Sequence, residues 1–274
     1  VEGAVALTKV LDAFLFTHEF DLLELRLRAL WPVVDKFLMV EGDHNFTNQP
    51  KALRFNEQKD RFAWAADKLC VVQNIGKLKD YSDGDEWPPD LFVEHQHRQF
   101  LYEEAKRQKG FEPTDILLIS DIDEIPSREV INKLKNDSDF PSPILCNQDF
   151  YYYNIKCHRG KRWHGTMAMR FGYKLGSVAQ ARNNRVYMPK IESQCGWHFA
   201  HFYDSDGIRE KLLHSSHSQY NLPEYYNKEH LARCVAENKS YIGKKDGTAQ
   251  PEPIPYYMLE ELKRFPIFMG DEWR

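Results

Sequence analysis

The sequence predicts an α/β fold with a mixed, mostly parallel sheet flanked by helices, and three observations carry that prediction. Short apolar runs alternate with longer stretches of helical periodicity through residue 126, the pattern of successive βαβ units. The apolar run 116–119 (ILLI) is bounded by polar residues and reads as a buried strand. It runs directly into Ser120-Asp121-Ile122-Asp123-Glu124-Ile125-Pro126, so three carboxylates stand where a core strand ends. Open α/β sheets bind their ligands at that edge.

Residues 10–16 (VLDAFLF) form the first expected strand. His18-Glu19-Phe20-Asp21 then opens a helix, with Asp21 at the N-cap and Glu24 three residues on, the spacing of a capping box. Leu22, Leu23, Leu25, Leu27 and Leu30 supply its buried stripe, and Trp31-Pro32 ends it. Residues 35–41 are the second strand. The polar stretch 42–50 is a loop at its end. A helix is expected over 58–70, a short strand over 69–72, a loop over 81–89, and a long helix over 91–109 with Arg98 midway. The second part differs. A strand over 143–153 ends in Phe150-Tyr151-Tyr152-Tyr153, and glycine-punctuated segments around 163–166 and 172–176 suggest antiparallel strands. The aromatic, histidine-rich stretch 196–202 follows, and Asp206-Gly207 leads into a helix over 208–215. The proline- and aromatic-rich tail 247–274 is expected to wrap the domain rather than form another.

Composition narrows the class. At 274 residues, 42% hydrophobic and 28% charged, the chain has material for a full globular core. A net charge of -4 offers no general attraction to nucleic acid or to an acidic membrane. There is no apolar run of ~18 residues, so no membrane span is expected. Lys9 and Asp12 interrupt the N-terminal stretch, which does not read as a secretory signal. The chain begins at Val1 rather than Met, so a cytoplasmic enzyme and a Golgi-lumenal domain trimmed of its anchor read alike. The five cysteines include no Cys-x-x-Cys pair and read as buried free thiols. The sequence lacks Gly-x-Gly-x-x-Gly after the first strand, lacks a P-loop and lacks a Gly-x-Ser-x-Gly elbow. These absences argue against a nicotinamide oxidoreductase, a P-loop ATPase and a serine hydrolase.

The candidate chemistry centres on the acidic motif. Asp121 and Asp123, at i and i+2 after a strand, can present oxygens to one hard cation, Mg²⁺ or Mn²⁺. Such an ion neutralises a substrate diphosphate. Asp-X-Asp is the signature of nucleotide-sugar glycosyltransferases, and it is also a common solvated turn. Three adjoining acids, Glu124 included, repel one another unless something positive is bound. His198 reads either as a buried structural histidine or as the nitrogen ligand of a mixed site that Mn²⁺ tolerates. Arg98, Lys51 and Arg54 are phosphate contacts or solvated cations, and Arg98 lies among the apolar positions of its helix. Glu41, ending the second strand, could meet a ribose, a base or nothing. The stripe 150–153 and Trp163 pack in the core or stack on a sugar ring.

Four blocks then resemble the family 17 glycosyltransferases. They are Asp12-Ala13-Phe14 through His18-Glu19-Phe20-Asp21-Leu22-Leu23-Glu24-Leu25-Arg26; Val34-Asp35-Lys36-Phe37 through Glu41 with Asn45-Phe46-Thr47 and Pro50-Lys51-Ala52-Leu53-Arg54-Phe55; Asp121-Ile122-Asp123-Glu124-Ile125-Pro126; and Gly196-Trp197-His198 with Asp206-Gly207-Ile208. The resemblance implies a glycosyltransferase A-type, Rossmann-like fold over a single domain 1–274. Residues 1–126 would be its nucleotide-binding half, and 127–274 its acceptor half and C-terminal wrap. It implies a UDP-sugar donor, UDP-GlcNAc first, a glycan or glycoprotein acceptor, and inversion at the anomeric carbon. It carries metal binding onto Asp121 and Asp123, and by analogy onto His198. It places His18, Glu19, Glu41, Lys51, Arg98 and Asp121 at the nucleotide sugar. The acceptor's proton would go to Glu124, Asp149 or Asp206, the last also reading as a helix N-cap. The chain departs from the pattern by lacking a glycine between Thr47 and Pro50, and by matching poorly over 157–194, a segment assigned to the acceptor pocket. Competing readings are the same fold with UDP-xylose, UDP-glucose or UDP-galactose, a metal-dependent phosphodiesterase or nuclease, and a non-catalytic carbohydrate-binding module.

Overall fold

Strand β1 (Val10–Phe16) is buried along its whole length, and the alternation of its side chains explains why. Val10, Phe14 and Phe16 join one apolar cluster with Leu22, Leu23, Leu25, Leu27 and Leu30 of helix α1 (Phe20–Leu30). Leu11, Ala13 and Leu15 join another with Leu101, Tyr102 and Ala105 of helix α2 (Pro89–Lys106). The strand is thus covered on both faces, as a central strand of an α/β sheet must be. The computed structural model describes residues 7–76, 78, 79, 82, 89–244 and 246–271, with the backbone alone at 89, 90 and 218.

β1 pairs in parallel with β2 (Lys36–Gly42) and with β4 (Ile116–Asp121), and β2 pairs in parallel with β3 (Leu69–Asn74). The rest of the sheet is mixed. β7 (His158–Arg170) runs antiparallel to β4 and to β6 (Ile144–Tyr152). β6 runs parallel to β8 (Lys190–Ala200), which is antiparallel to the short edge strand β5 (Glu124–Pro126). The order is β3-β2-β1-β4-β7-β6-β8-β5, so four of the seven interfaces are parallel and the sheet runs through both parts of the chain. This is the mixed, mostly parallel α/β architecture expected from the sequence. Helices α3 (Arg128–Asn136), α4 (Val178–Asn183), α5 (Ser205–His214), α6 (Pro223–Tyr226) and α7 (Lys228–Ala236) connect or flank it. In the tail, α8 (Tyr256–Leu262) and α9 (Pro266–Met269) press Met258, Leu262 and Phe268 into the cluster beneath α1.

Several local expectations need correction. The capping box does not form, because α1 starts behind Glu19 with no side-chain cap, and Asp21 and Glu24 are both taken by Arg61. Of the helix expected over 58–70, only Lys59–Ala65 is helical, as a 3-10 helix that follows a shorter one over Phe55–Glu57. Glu124–Pro126 forms a short strand that was not foreseen, and most of the loop expected over 81–89 lies outside the described residues. The cysteines are free, and all but the half-buried Cys70 are buried.

Gly196 permits the β5–β8 pairing. Its φ is +141°, and a Cβ there would stand 2.1 Å from the Ile125 carbonyl oxygen. Another close approach seats His97 of α2 over the end of β2, where a Cβ on Gly42 would meet the imidazole at 2.1 Å. Burial pushes the His97 imidazole down to about 4. Its ordinary value is about 6.5, so the neutral form stabilises the fold fully above pH 6.5, and that contribution is lost as pH falls towards 4. The loss should reach about 3 kcal/mol across that window. Urea midpoints at pH 7 and pH 4.5 should therefore diverge more for the wild type than for His97→Gln. Equal pH dependence in the two would show that His97 is not the responsible group.

Candidate active site

The acidic turn between β4 and β5 is built around Arg26 of α1. Its guanidinium pairs with Asp12 of β1 through two bonds of 2.6 and 2.8 Å, and both side chains are fully buried. It also donates to Ser120 Oγ at 2.6 Å and to the carbonyls of Asp121, Ile122 and Glu124 at 3.1, 3.2 and 2.9 Å. Those carbonyls belong to the turn that carries the carboxylates, so one cation on the apolar face of α1 fixes the turn from below.

Above the turn the carboxylates are compensated by the protein itself. Arg182 of α4 spans Glu124, at 2.9 and 3.1 Å, and Asp121 at 2.8 Å. Arg98 of α2 reaches the two oxygens of Asp121 at 2.9 and 3.0 Å and Glu94 at 2.5 Å. Burial would raise the Asp121 carboxyl, but Arg182 and Arg98 outweigh it and hold it at about 2. Asp123 Oδ2 accepts from Lys211 Nζ of α5 at 2.7 Å, and its Oδ1 stands 3.5 Å from His198 Nε2. Burial again works to raise Asp123, and Lys211 and His198 bring it well below the usual carboxylate range. The self-repulsion expected of three acids is thus relieved by Arg98, Arg182 and Lys211.

A cavity of about 650 Å³ opens in front of this turn, at the carboxyl ends of β1 and β4. It brings together Glu19, Arg98, Asp121, Asp123 and His198, all foreseen as site residues. Glu19 turns one oxygen to the Thr17 hydroxyl and to the backbone N–H groups of Thr17 and His18. Phe150 and Trp163 line the wall beside His198, with ring centroids 4.8 and 4.7 Å from its imidazole.

The other foreseen residues lie elsewhere. His18 stacks on Tyr203. Glu41 is fully buried and accepts the backbone N–H groups of Arg54 and Phe55, with Lys51 at 3.7 Å. Lys51 lines a small cleft that adjoins the main cavity at Leu15, Thr17 and Phe46. None of the three proposed proton acceptors lines the cavity. Glu124 is fully buried, with Oε1 taken by Trp163 and Arg182 and Oε2 by Arg182 and the Asp121 N–H. Asp149 is fully buried against Arg162 and the Glu252 N–H. Asp206 is exposed in the first turn of α5, and the cap is Asp204, which accepts from Gly207 N.

Among the described residues no three His, Cys, Asp or Glu side chains are gathered around one point suited to a metal. The donor chemistry still fits a divalent ion in part. Asp123 Oδ1 and His198 Nε2 form an oxygen–nitrogen pair on the cavity wall. Mg²⁺ in phosphate sites commonly takes one or two protein ligands and completes its shell with water and substrate oxygens. Asp121 suits the role less well, since both its oxygens are held by guanidinium groups.

Arg26, Arg182 and Lys211 carry much of this arrangement and were not singled out from the sequence. Arg26 had a signal: a cation in the middle of a leucine stripe, one turn from Leu22 and Leu30. Arg182 lies 61 residues from Asp121, in a segment with no motif, and Lys211 lies 88 from Asp123, three residues beyond the Asp206-Gly207-Ile208 block.

The sequence profile described as glycosyltransferase family 17 matches residues 4–265. The chain is similar to the beta-1,4-mannosyl-glycoprotein 4-beta-N-acetylglucosaminyltransferases of Rattus norvegicus and Homo sapiens, at 24% identity over 97% of its own length. It covers 55% and 56% of those proteins, and so spans about half the length of the curated relatives it matches. The apo-form glycosyltransferase GlyE of Streptococcus pneumoniae TIGR4 superposes on 68% of the chain and 45% of its own, with a TM-score of 0.30 and 11% identity, too slight a likeness to argue from. With a profile match across nearly all of the sequence that forms the sheet, the acidic turn and the cavity wall, the chain belongs to glycosyltransferase family 17.

Proposed function

We propose that the chain transfers N-acetylglucosamine from UDP-GlcNAc to a glycan or glycoprotein acceptor in β linkage, with inversion and with Mn²⁺ or Mg²⁺ as cofactor. One observation carries this reading: in a family 17 chain, Asp123 and His198 face a cavity at the carboxyl end of β4, 3.5 Å apart. These two residues would hold the ion. Its chemistry when bound is to neutralise charge on the departing diphosphate. Residues 1–126 would form the nucleotide-binding half and 127–274 the acceptor half, so the cavity lies where the two meet. Glu19 and Arg98 would border the donor, and Phe150 and Trp163 would offer apolar faces to a sugar ring.

In this reading an acceptor hydroxyl attacks the anomeric carbon from the face opposite UDP. The new C–O bond forms as the bond to UDP breaks, and the hydroxyl proton passes to a carboxylate. That carboxylate must reach the substrate. Glu124, Asp149 and Asp206 do not face the cavity, whereas Glu19, Glu94 and Asp246 do, and the proton acceptor is assigned to one of those three.

The test is UDP release across a panel of UDP- and GDP-sugars, first with Mn²⁺ and then with EDTA. Release from UDP-GlcNAc that EDTA abolishes is the expected result. Release from another UDP-sugar alone would reassign the donor, release undiminished by EDTA would remove the metal, and no release with no nucleotide binding by calorimetry would leave a carbohydrate-binding module.

A further inference from the structure

Besides Arg26 beneath it, three arginines stand near the acidic turn on the cavity side, and they are not equivalent. Arg98 and Arg182 are each held by carboxylates. Arg185, at the start of the 3-10 turn after α4, has no carboxylate partner among the described residues, and its one hydrogen bond is a long one of 3.5 Å to the His164 carbonyl. Its side chain is half-buried on the cavity wall, with the guanidinium carbon 4.3 Å from the centroid of Trp163. That ring is itself fixed, since its Nε1 donates to Glu124 Oε1 at 2.7 Å, and it touches His198 at 4.7 Å. A planar cation is therefore held on a rigid aromatic platform, one ring away from the Asp123–His198 pair. Burial and the neighbouring Arg182 work against its charge and outweigh the more distant pull of Glu124 and Asp121. A partly desolvated guanidinium in no direct ion pair among the described residues gains most when an anion meets it, and the fork geometry of guanidinium matches phosphate oxygens.

We propose that Arg185 grips the diphosphate of the sugar nucleotide and stabilises it as the leaving group. This rests on the cavity being a UDP-sugar site. The segment that supplies Arg185 had been assigned to the acceptor, so the proposal moves part of it to the donor. Trp163 is then a platform for Arg185 as well as a wall for the sugar. Arg98 and Arg182 keep the acidic turn neutral and leave Arg185 available to the substrate.

The experiment is calorimetry of UDP and uridine against the wild type, Arg185→Ala and Arg185→Lys, with Mn²⁺ and with EDTA, alongside thermal melts and donor and acceptor KM values. Arg185→Ala should weaken UDP about 10- to 100-fold, the range for a charge-assisted contact. Uridine binding, the melting temperature and the acceptor KM should stay unchanged. Arg185→Lys should recover only part, because an ammonium cannot make the bidentate contact. Equal losses for UDP and uridine, unchanged UDP affinity, or a rise in acceptor KM alone would each overturn the assignment. A wild type that binds no UDP at all would instead remove the donor-site reading beneath it, a separate and recognisable failure.

Discussion

Asp123→Asn should reduce transfer about a thousandfold, the upper range for removing one electrostatic contact from a developing anion, while the protein still folds. The substitution keeps the volume and one oxygen of the side chain and removes the charge. That charge does two things in the structure: it pairs with Lys211 at 2.7 Å and offers Oδ1 beside His198 Nε2. The first is structural. Lys211 keeps a quarter of its side chain in water, so losing its partner should cost only about 1 kcal/mol, after discounting for solvent screening. The second is the proposed seat of the divalent ion. UDP-release rates at saturating Mn²⁺, read beside thermal melts, separate the two. A variant that melts near the wild type but transfers a thousandfold more slowly supports the assignment. One that transfers within tenfold of the wild type would make Asp123 a counterion for Lys211 and nothing more.

What could be read in advance divides along a physical line. Local periodicity sufficed for β1, α1 and β2, because each buries an apolar stripe whose spacing is written in consecutive residues. The acidic turn was legible for the same reason, as charge placed directly after a buried strand. Roles that depend on who sits opposite were not. Glu124 looked free to accept a proton, yet Trp163 and Arg182 close over it from 39 and 58 residues away. Glu41 looked free to meet a ribose, yet it caps the N–H groups of Arg54 and Phe55 across a loop. Asp21 and Glu24 had capping-box spacing, and Arg61 draws both side chains away from the helix end. In each case a carboxylate was given a cap, a substrate or a proton when a distant donor already held it. Sequence spacing gives the position of a charge along its own element, and only the folded chain gives its partner.

Arg26→Leu is expected to be the most destabilising single change, at about 3–5 kcal/mol, the range for breaking a fully buried ion pair. The guanidinium is inaccessible, stacks 4.7 Å from the Phe14 ring, and satisfies Asp12, Ser120 and the carbonyls of Asp121, Ile122 and Glu124. Its loss strands a charge at Asp12 inside the apolar face of β1 and removes one donor from each of the three carbonyls. Pairing it with a second change separates burial from positioning. Arg26→Leu with Asp12→Leu replaces both charges by apolar groups, which often restores much of the stability lost when one partner goes. It does nothing for the carbonyls of the acidic turn. The double variant should therefore melt closer to the wild type than Arg26→Leu does, with UDP binding still weakened and its Mn²⁺ dependence reduced, because the turn that aims Asp123 is no longer clamped. Recovery of nucleotide binding in step with the melting temperature would show that Arg26 supports the core and does not position the site.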